Sequence, residues 1–284
     1  MPMVTTMGMT GNDDNGAYIV SVLMSNGVDT SFVHTDKELP TSFTDVMTVE
    51  GTGERTFFHA RGANAAFSYG HIDFSKIQAD IFHIGYALLL DSFDAYDAEY
   101  GTVMARTLSE AREAGFKTSM DVVSESSDRM NRIAAPSLKY CDYLIINEIE
   151  ASLISGIPAR GGNGGILGGN VKQICCALLD MGVREKVVIH APEAGWYMDG
   201  SGNFVCVPSL ELPPGYIKGT VGAGDAFCAG VLYAVYNGYD PEYALRIASA
   251  AAAANLSENN SIDGMMPLRE VMEIDKAFKR MPLP

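Results

Sequence analysis

Residues 218–227 read Lys218-Gly219-Thr220-Val221-Gly222-Ala223-Gly224-Asp225-Ala226-Phe227. The three small residues Gly222, Ala223 and Gly224 let a backbone approach a ligand closely. They precede an apolar helical run with Phe227, Val231 and Ala234 on one face. The first-turn N–H groups of such a helix have no intrahelical partner, and the positive end of the helix dipole adds to them, so the turn suits an anion. Asp225 falls in that first turn, where the dipole favours a carboxylate. An anion hole beside a carboxylate base is what phosphoryl transfer to an alcohol needs: one part steadies charge and the other takes the hydroxyl proton. The residues alone also allow a plainer reading, a glycine-rich turn with an acidic helix cap.

Outward from this turn, short β runs alternate with helical runs. Strands are expected at Ile81–Ile84, Lys117–Val123, Tyr143–Ile146 and Val187–Ile189. Helices are expected at Ala17–Ser25, Asp97–Ala114, Arg129–Lys139 with a break at Pro136, Val171–Met181, Ala226–Tyr236, Pro241–Leu256 and Leu268–Phe278. Trp196–Met198 and Phe204–Val207 read as a hairpin around Asp199-Gly200, and Met3–Met7 as a short apolar segment ending at Gly8. Alternation of this kind implies an α/β fold, a parallel sheet covered on both faces. Ser31–His34, Ser42–Val49 and Arg55–Ala60 have a different texture. They are rich in Thr, Phe and Val, are separated by turns such as Glu50-Gly51 and Thr52-Gly53, and read as antiparallel strands of a small appendage. The glycine-rich stretch Gly161–Gly169 reads as a flexible surface connection; no strand leads into it and no Gly-Lys-Ser/Thr closes it as a phosphate cradle requires.

Composition removes whole classes of function. Asp and Glu number 35 against 20 Lys and Arg, a formal charge of −15, which repels nucleic acid and anionic membranes as partners. The longest strongly apolar run, Ile247–Leu256, is too short to span a bilayer, and the first twelve residues carry no Lys or Arg for a signal peptide. Five scattered cysteines without a Cys-x-x-Cys pair favour reduced thiols and a cytoplasmic location. A nicotinamide enzyme is disfavoured because no Gly-x-Gly-x-x-Gly follows the first strand.

The decisive stretch resembles the second signature of the ribokinase-like (PfkB) sugar kinases, Asp-Thr-x-Gly-Ala-Gly-Asp, in Thr220 and Gly222-Ala223-Gly224-Asp225. Other family features follow in order. Gly11 to Gly16 resembles a Gly-x-Asp-x-x-Gly turn, and Gly53-Glu54-Arg55-Thr56-Phe57-Phe58 with Gly62-Ala63-Asn64 resembles a lid strand leading to a sugar pocket. Asn147-Glu148-Ile149-Glu150 fits an Asn-x-x-Glu motif, and Ala248–Ala254 with Asn259–Met266 resembles the closing helix and loop beside the nucleotide. The resemblance implies a single three-layer α/β/α domain over residues 1–284, with a mostly parallel central sheet and a β lid at residues 31–60. It implies an ATP- and Mg²⁺-dependent kinase acting on a hydroxyl of a small sugar. Asp225 would be the base, and the amides of Gly222, Ala223 and Gly224 the anion hole. Thr220, His190 and Gly195 would lie on the ATP side, and Asn147 and Glu150 would hold Mg²⁺ largely through water, a role hard oxygen donors at a strand end suit. For that last pair the residues alone allow a helix cap equally. Asp13, Arg61, Ala63 and Asn64 are the candidates on the sugar side; Asp13 fits a turn-fixing role better, and Arg61 reads equally as a surface residue. Lid strands in this family often pair between subunits, which implies a homodimer through the lid.

Three departures stand out. Gly219 takes the place of an Asp that helps hold a monovalent cation. Ile189-His190-Ala191-Pro192-Glu193-Ala194-Gly195 replaces a Thr-x-Gly-x-x-Gly segment that meets the ATP phosphates. The family's first strand and its Gly-Gly-x-x-x-Asn-x-Ala signature have no counterpart, so a non-catalytic sugar- or nucleotide-binding relative is the alternative function.

Overall fold

The computed structural model describes residues 3–48, 55–124 and 129–284. In chain order its elements are β1 (Thr5–Gly11), α1 (Asp14–Ser25), β2 (Asp29–Asp36), β3 (Phe43–Thr48), β4 (Arg55–Ala60), β5 (Ile81–Ala87), α2 (Asp91–Asp94), β6 (Tyr96–Asp97), β7 (Gly101–Thr102), α3 (Val103–Glu113), β8 (Lys117–Val122), α4 (Arg129–Leu138), β9 (Tyr143–Asn147), α5 (Glu148–Ser155), α6 (Gly168–Asp180), β10 (Lys186–His190), β11 (Ala194–Asp199), β12 (Phe204–Pro208), α7 (Ala223–Tyr236), α8 (Pro241–Leu256) and α9 (Leu268–Ala277). They form two compact units, one of Met1–Ile77 with Ala87–Thr107 and one of Gln78–Tyr86 with Leu108–Pro284. Among the described residues no helix is long and apolar enough to cross a membrane, and all five cysteines are free.

The second unit holds a six-stranded sheet in the order β12-β11-β10-β9-β8-β5. β8, β9 and β10 pair in parallel, while β10, β11 and β12 form an antiparallel edge. Four successive residues of β9, Tyr143 to Ile146, are buried, as expected of a strand covered on both faces. The hairpin read at residues 196–207 is the β11–β12 pair. α7 and α8 pack closely on one another. Gly230 permits this, since a Cβ there would lie 2.7 Å from Cα of Ala248. Their shared core, Phe227, Val231, Leu245 and Ala248 with Ile145, Val188, Tyr197 and Val207 of the sheet, fixes the start of α7. Each fully buried side chain of this size contributes about 1.5–3 kcal/mol.

The first unit corrects several expectations. The Met3–Met7 segment is a strand running on to Gly11, and α1 begins at Asp14 rather than Ala17 because Asp13 caps it, accepting from the Gly16 N–H at 2.8 Å. Ser31–His34 belongs to β2 and pairs in parallel with β1, not antiparallel with its successors. α1 links two parallel strands, so these three elements form a βαβ unit. The antiparallel pair is β3 with β4; Val49 and the turn residues Glu50-Gly51 and Thr52-Gly53, with Glu54, lie outside the described residues. The helix expected from Asp97 starts at Val103, because the Asp97 carboxylate binds the N–H groups of Glu99 and Tyr100 and closes a β6–β7 turn first. Pro136 lies inside α4 rather than breaking it. Only two residues follow it before the helix ends, so the disruption reaches little of the helix.

Candidate active site

In the second unit, four side chains stand at or one residue from the last position of neighbouring strands: Tyr86 of β5, Asp121 of β8, Asn147 of β9 and His190 of β10. Ligands of open α/β sheets bind outside these strand ends. Asn147 and His190 are direct partners in the β9–β10 register.

α7 begins at the same unit's glycine turn. Gly222, its N-cap, adopts φ +84° and offers no side-chain acceptor to the first-turn N–H groups. Two features demand glycine there. The left-handed backbone disfavours a side chain, and a Cβ would stand 2.7 Å from the Ser261 carbonyl oxygen. Asp225 follows on the exposed side of the first turn, and the Tyr86 hydroxyl donates to its Oδ1. Thr220 is exposed just ahead of the turn. Behind it the His190 ring approaches Gly224, where a Cβ would stand 3.4 Å from Cε1, and it packs on Phe227 at 4.9 Å between centroids. Burial holds the His190 pKa down at about 4, so the imidazole is neutral at pH 7. Gly195 pairs with His190 across β10–β11 and is buried. A Cβ there would meet Phe227 at 3.0 Å and Leu245 at 3.1 Å, so this glycine lets α7 and α8 close on β11.

Asn147 and Glu150 form a reciprocal cap at the start of α5. Asn147 Oδ1 accepts from the N–H groups of Ile149 and Glu150, each at 2.9 Å, and Glu150 Oε2 accepts from the Asn147 N–H at 2.9 Å. The Ser124 hydroxyl donates to Glu150 Oε1 at 2.7 Å and accepts from Asn147 Nδ2 at 2.9 Å. Burial pushes the Glu150 pKa up to about 7, against the pull of the hydrogen bonds from Asn147 and Ser124. Burial, then the carboxylates of Glu150 and Asp225, drives Asp121 well above the usual carboxyl range. Among the described residues no three His, Cys, Asp or Glu side chains are arranged as a ready metal cluster. Mg²⁺ does not need one, since it keeps several waters and takes one or two carboxylates. Oxygen donors whose burial disfavours charge fit such an ion.

A monovalent cation fits less well. Gly219 supplies no carboxylate, and the carbonyl oxygens of Glu258 and Asn259 lie 2.9 and 3.0 Å from where its Cβ would stand. Glu193, adjacent to the site strand, is held by Arg160 in two hydrogen bonds at 2.8 and 3.0 Å.

The residues expected on the sugar side belong to the first unit. Asp13 is fully engaged in turns. Besides capping α1 it accepts from the Thr41 N–H at 2.7 Å and the Thr41 hydroxyl at 2.5 Å, and these bonds hold its pKa below the usual carboxylate range. Arg61 pairs with Asp91 at 2.7 Å and donates to the Leu88 carbonyl at 3.1 Å. Ala63 is wholly buried, and the Asn64 N–H donates to the Ser42 hydroxyl at 3.1 Å.

Tyr86, Asp121 and Ser124 escaped the sequence reading. Asp121 had a usable signal, an acid near the end of a strand in a parallel sheet. Tyr86 had none, because its partner is 139 residues away.

The chain is 23% identical over 260 residues to an "uncharacterized sugar kinase" of Archaeoglobus fulgidus, covering 91% of this chain and 93% of the relative. It is 24% identical over 278 residues to the 5-dehydro-2-deoxygluconokinase of Shouchella clausii, covering 93% and 78%. The structure of Arabidopsis thaliana ribokinase complexed with ribose and ATP superposes with a TM-score of 0.73 at 21% identity, covering 96% of this chain and 82% of that one. Residues 3–268 match the sequence model of the pfkB family carbohydrate kinase, so this chain, with its ribokinase-like α/β fold and its glycine turn ahead of Asp225, belongs to the pfkB family of carbohydrate kinases.

Proposed function

We propose that this kinase transfers the γ-phosphoryl group of ATP to a hydroxyl of a small sugar, with Asp225 as the base. The observation that carries the reading is the start of α7: a left-handed glycine cap without a side-chain acceptor, three small residues, and a carboxylate on the exposed side of the first turn. The N–H groups of Gly222, Ala223 and Gly224 steady the negative charge of the phosphoryl group in transit. Asp225 takes the proton of the acceptor hydroxyl as its oxygen bonds to the γ-phosphorus and the bond to the β–γ bridging oxygen breaks, leaving ADP. Thr220 and the neutral His190 border the turn on the ATP side and offer uncharged hydrogen-bonding groups there.

Asn147 and Glu150 are the residues that would hold Mg²⁺, mostly through its waters, and the ion would supply charge neutralisation between the phosphates. The β3–β4 ribbon is read as the lid, which would exclude water over the sugar and pair with a second copy. The first-unit residues Arg61, Ala63 and Asn64 are read as the sugar side. A cytoplasmic location suits the free cysteines.

Asp225→Asn tests the assignment. Turnover, measured as ADP release with ATP and a panel of free aldoses, ketoses and sugar acids, falls about 100- to 10,000-fold, while calorimetry shows ATP binding retained. Full turnover in that variant would overturn the reading.

A further inference from the structure

The Tyr86 hydroxyl, far from the glycine turn in sequence, donates to the Asp225 carboxylate. Asp225 lies on the exposed side of a first helical turn, where a carboxylate can swing among rotamers. A base works only when its free oxygen is within hydrogen-bond reach of the proton it takes. We propose that Tyr86 is a positioning residue for Asp225: its hydroxyl holds Oδ1 and leaves Oδ2 to receive the acceptor's proton.

The setting of Tyr86 suits a fixed donor. It is anchored near the end of β5 and half-buried, within electrostatic reach of Asp121 and Cys228. Cys228 stands on α7 one turn beyond Asp225 and is itself buried. Burial, followed by the charge of Asp225, raises the phenol's pKa, so Tyr86 keeps its proton and donates it. Two elements distant in sequence, β5 and α7, are thereby tied at one carboxylate oxygen. This inference rests on the reading of Asp225 as base.

Tyr86→Phe deletes only the hydroxyl. With the panel sugar that wild-type enzyme turns over fastest, kcat falls about 10- to 100-fold, as expected when a reacting group loses its alignment. KM for ATP and for that sugar, and the melting temperature, stay at wild-type values. In the Asp225→Asn background the Tyr86→Phe change has no further effect. A purely structural role would lower the melting temperature or raise KM instead, and that result overturns the proposal. If Asp225→Asn abolishes turnover but Tyr86→Phe keeps wild-type kcat, positioning fails and the base stands. If Asp225→Asn keeps full turnover, or wild-type enzyme turns over no sugar of the panel, the base reading fails and this inference falls with it.

Discussion

Glu150 accepts a hydrogen bond from the backbone N–H of Asn147, the residue whose side chain caps the helix in whose first turn Glu150 lies. The cap places a carboxyl at a strand end and buries it; Glu150 is only 4% exposed. Local geometry that stabilises α5 thus creates the charge problem that a divalent cation would relieve.

The consequence is a stability that falls with pH. The folded pKa of Glu150, about 7, lies above its ordinary value of 4.5. The native state therefore holds the proton more tightly, and stability is lost as pH rises from that ordinary value through the folded one. Glu150→Gln keeps an acceptor for the Asn147 N–H but cannot ionise. In metal-free buffer near pH 8 the variant is more stable than wild type by on the order of 3 kcal/mol, read by denaturant unfolding, and loses activity. Mg²⁺ raises the wild-type melting temperature there and leaves the variant's unmoved. Equal stability of the two proteins at that pH would exclude the buried-charge account.

Gly222 concentrates two requirements in one position, its positive φ and the Ser261 backbone 2.7–2.8 Å from any Cβ. Gly222→Ala costs about 1–2 kcal/mol for the left-handed backbone alone. The contact with Ser261 adds to this and shifts the loop that flanks the anion turn. Thermal unfolding reports the destabilisation, and ADP release falls further than stability explains. Retained turnover would show that the turn tolerates displacement and is not the anion site.

Much of this site was legible because its parts are local. The Gly222–Asp225 turn and the Asn147–Glu150 cap are each read within four residues, from helix-end chemistry. Strand direction is different. Ser31–His34 carries the residue types of a strand, yet nothing in them tells that its partner is Thr5–Gly11 and runs parallel; pairing is set by the α1 crossover between them. Tyr86 was lost for a related reason. The expected strand is Ile81–Ile84, whereas β5 continues to Ala87 and delivers the phenol to Asp225.

Gly219 bears on ion dependence. The carbonyl oxygens of Glu258 and Asn259 occupy the space a side chain would need, and Lys218 pairs with Glu258 at 3.1 Å on the same loop. Replacing potassium by tetramethylammonium at constant ionic strength leaves both turnover and ATP affinity unchanged. Gly219→Asp destabilises the protein instead of creating potassium activation, because its Cβ would displace those carbonyls. A strong potassium requirement in the wild-type enzyme would refute this.

Asp275 tests how firmly the core behind α7 is tied. Its side chain is fully buried between two guanidinium groups. Arg246 donates to Oδ2 through Nε at 3.0 Å and Nη2 at 2.6 Å, and Arg280 donates to Oδ1. Arg280 also reaches the Pro208 carbonyl at 2.5 Å and the Ser249 hydroxyl at 3.1 Å, so one carboxylate links α8, α9 and the end of β12. Asp275→Asn leaves two partly exposed guanidinium groups facing a buried neutral amide, at a cost of roughly 1–3 kcal/mol. For a chain of this size that lowers the melting temperature by roughly 5 °C. Raising salt to about 1 M reduces the difference without abolishing it, because the carboxylate is buried while its partners meet solvent. The effect stays on stability. α8 packs on α7 through Gly230 and Ala248, so the folded variant at 25 °C keeps the glycine turn and its kcat, and only the temperature at which activity is lost moves down. A variant that unfolds at the wild-type temperature would show that Arg246 and Arg280 find other partners.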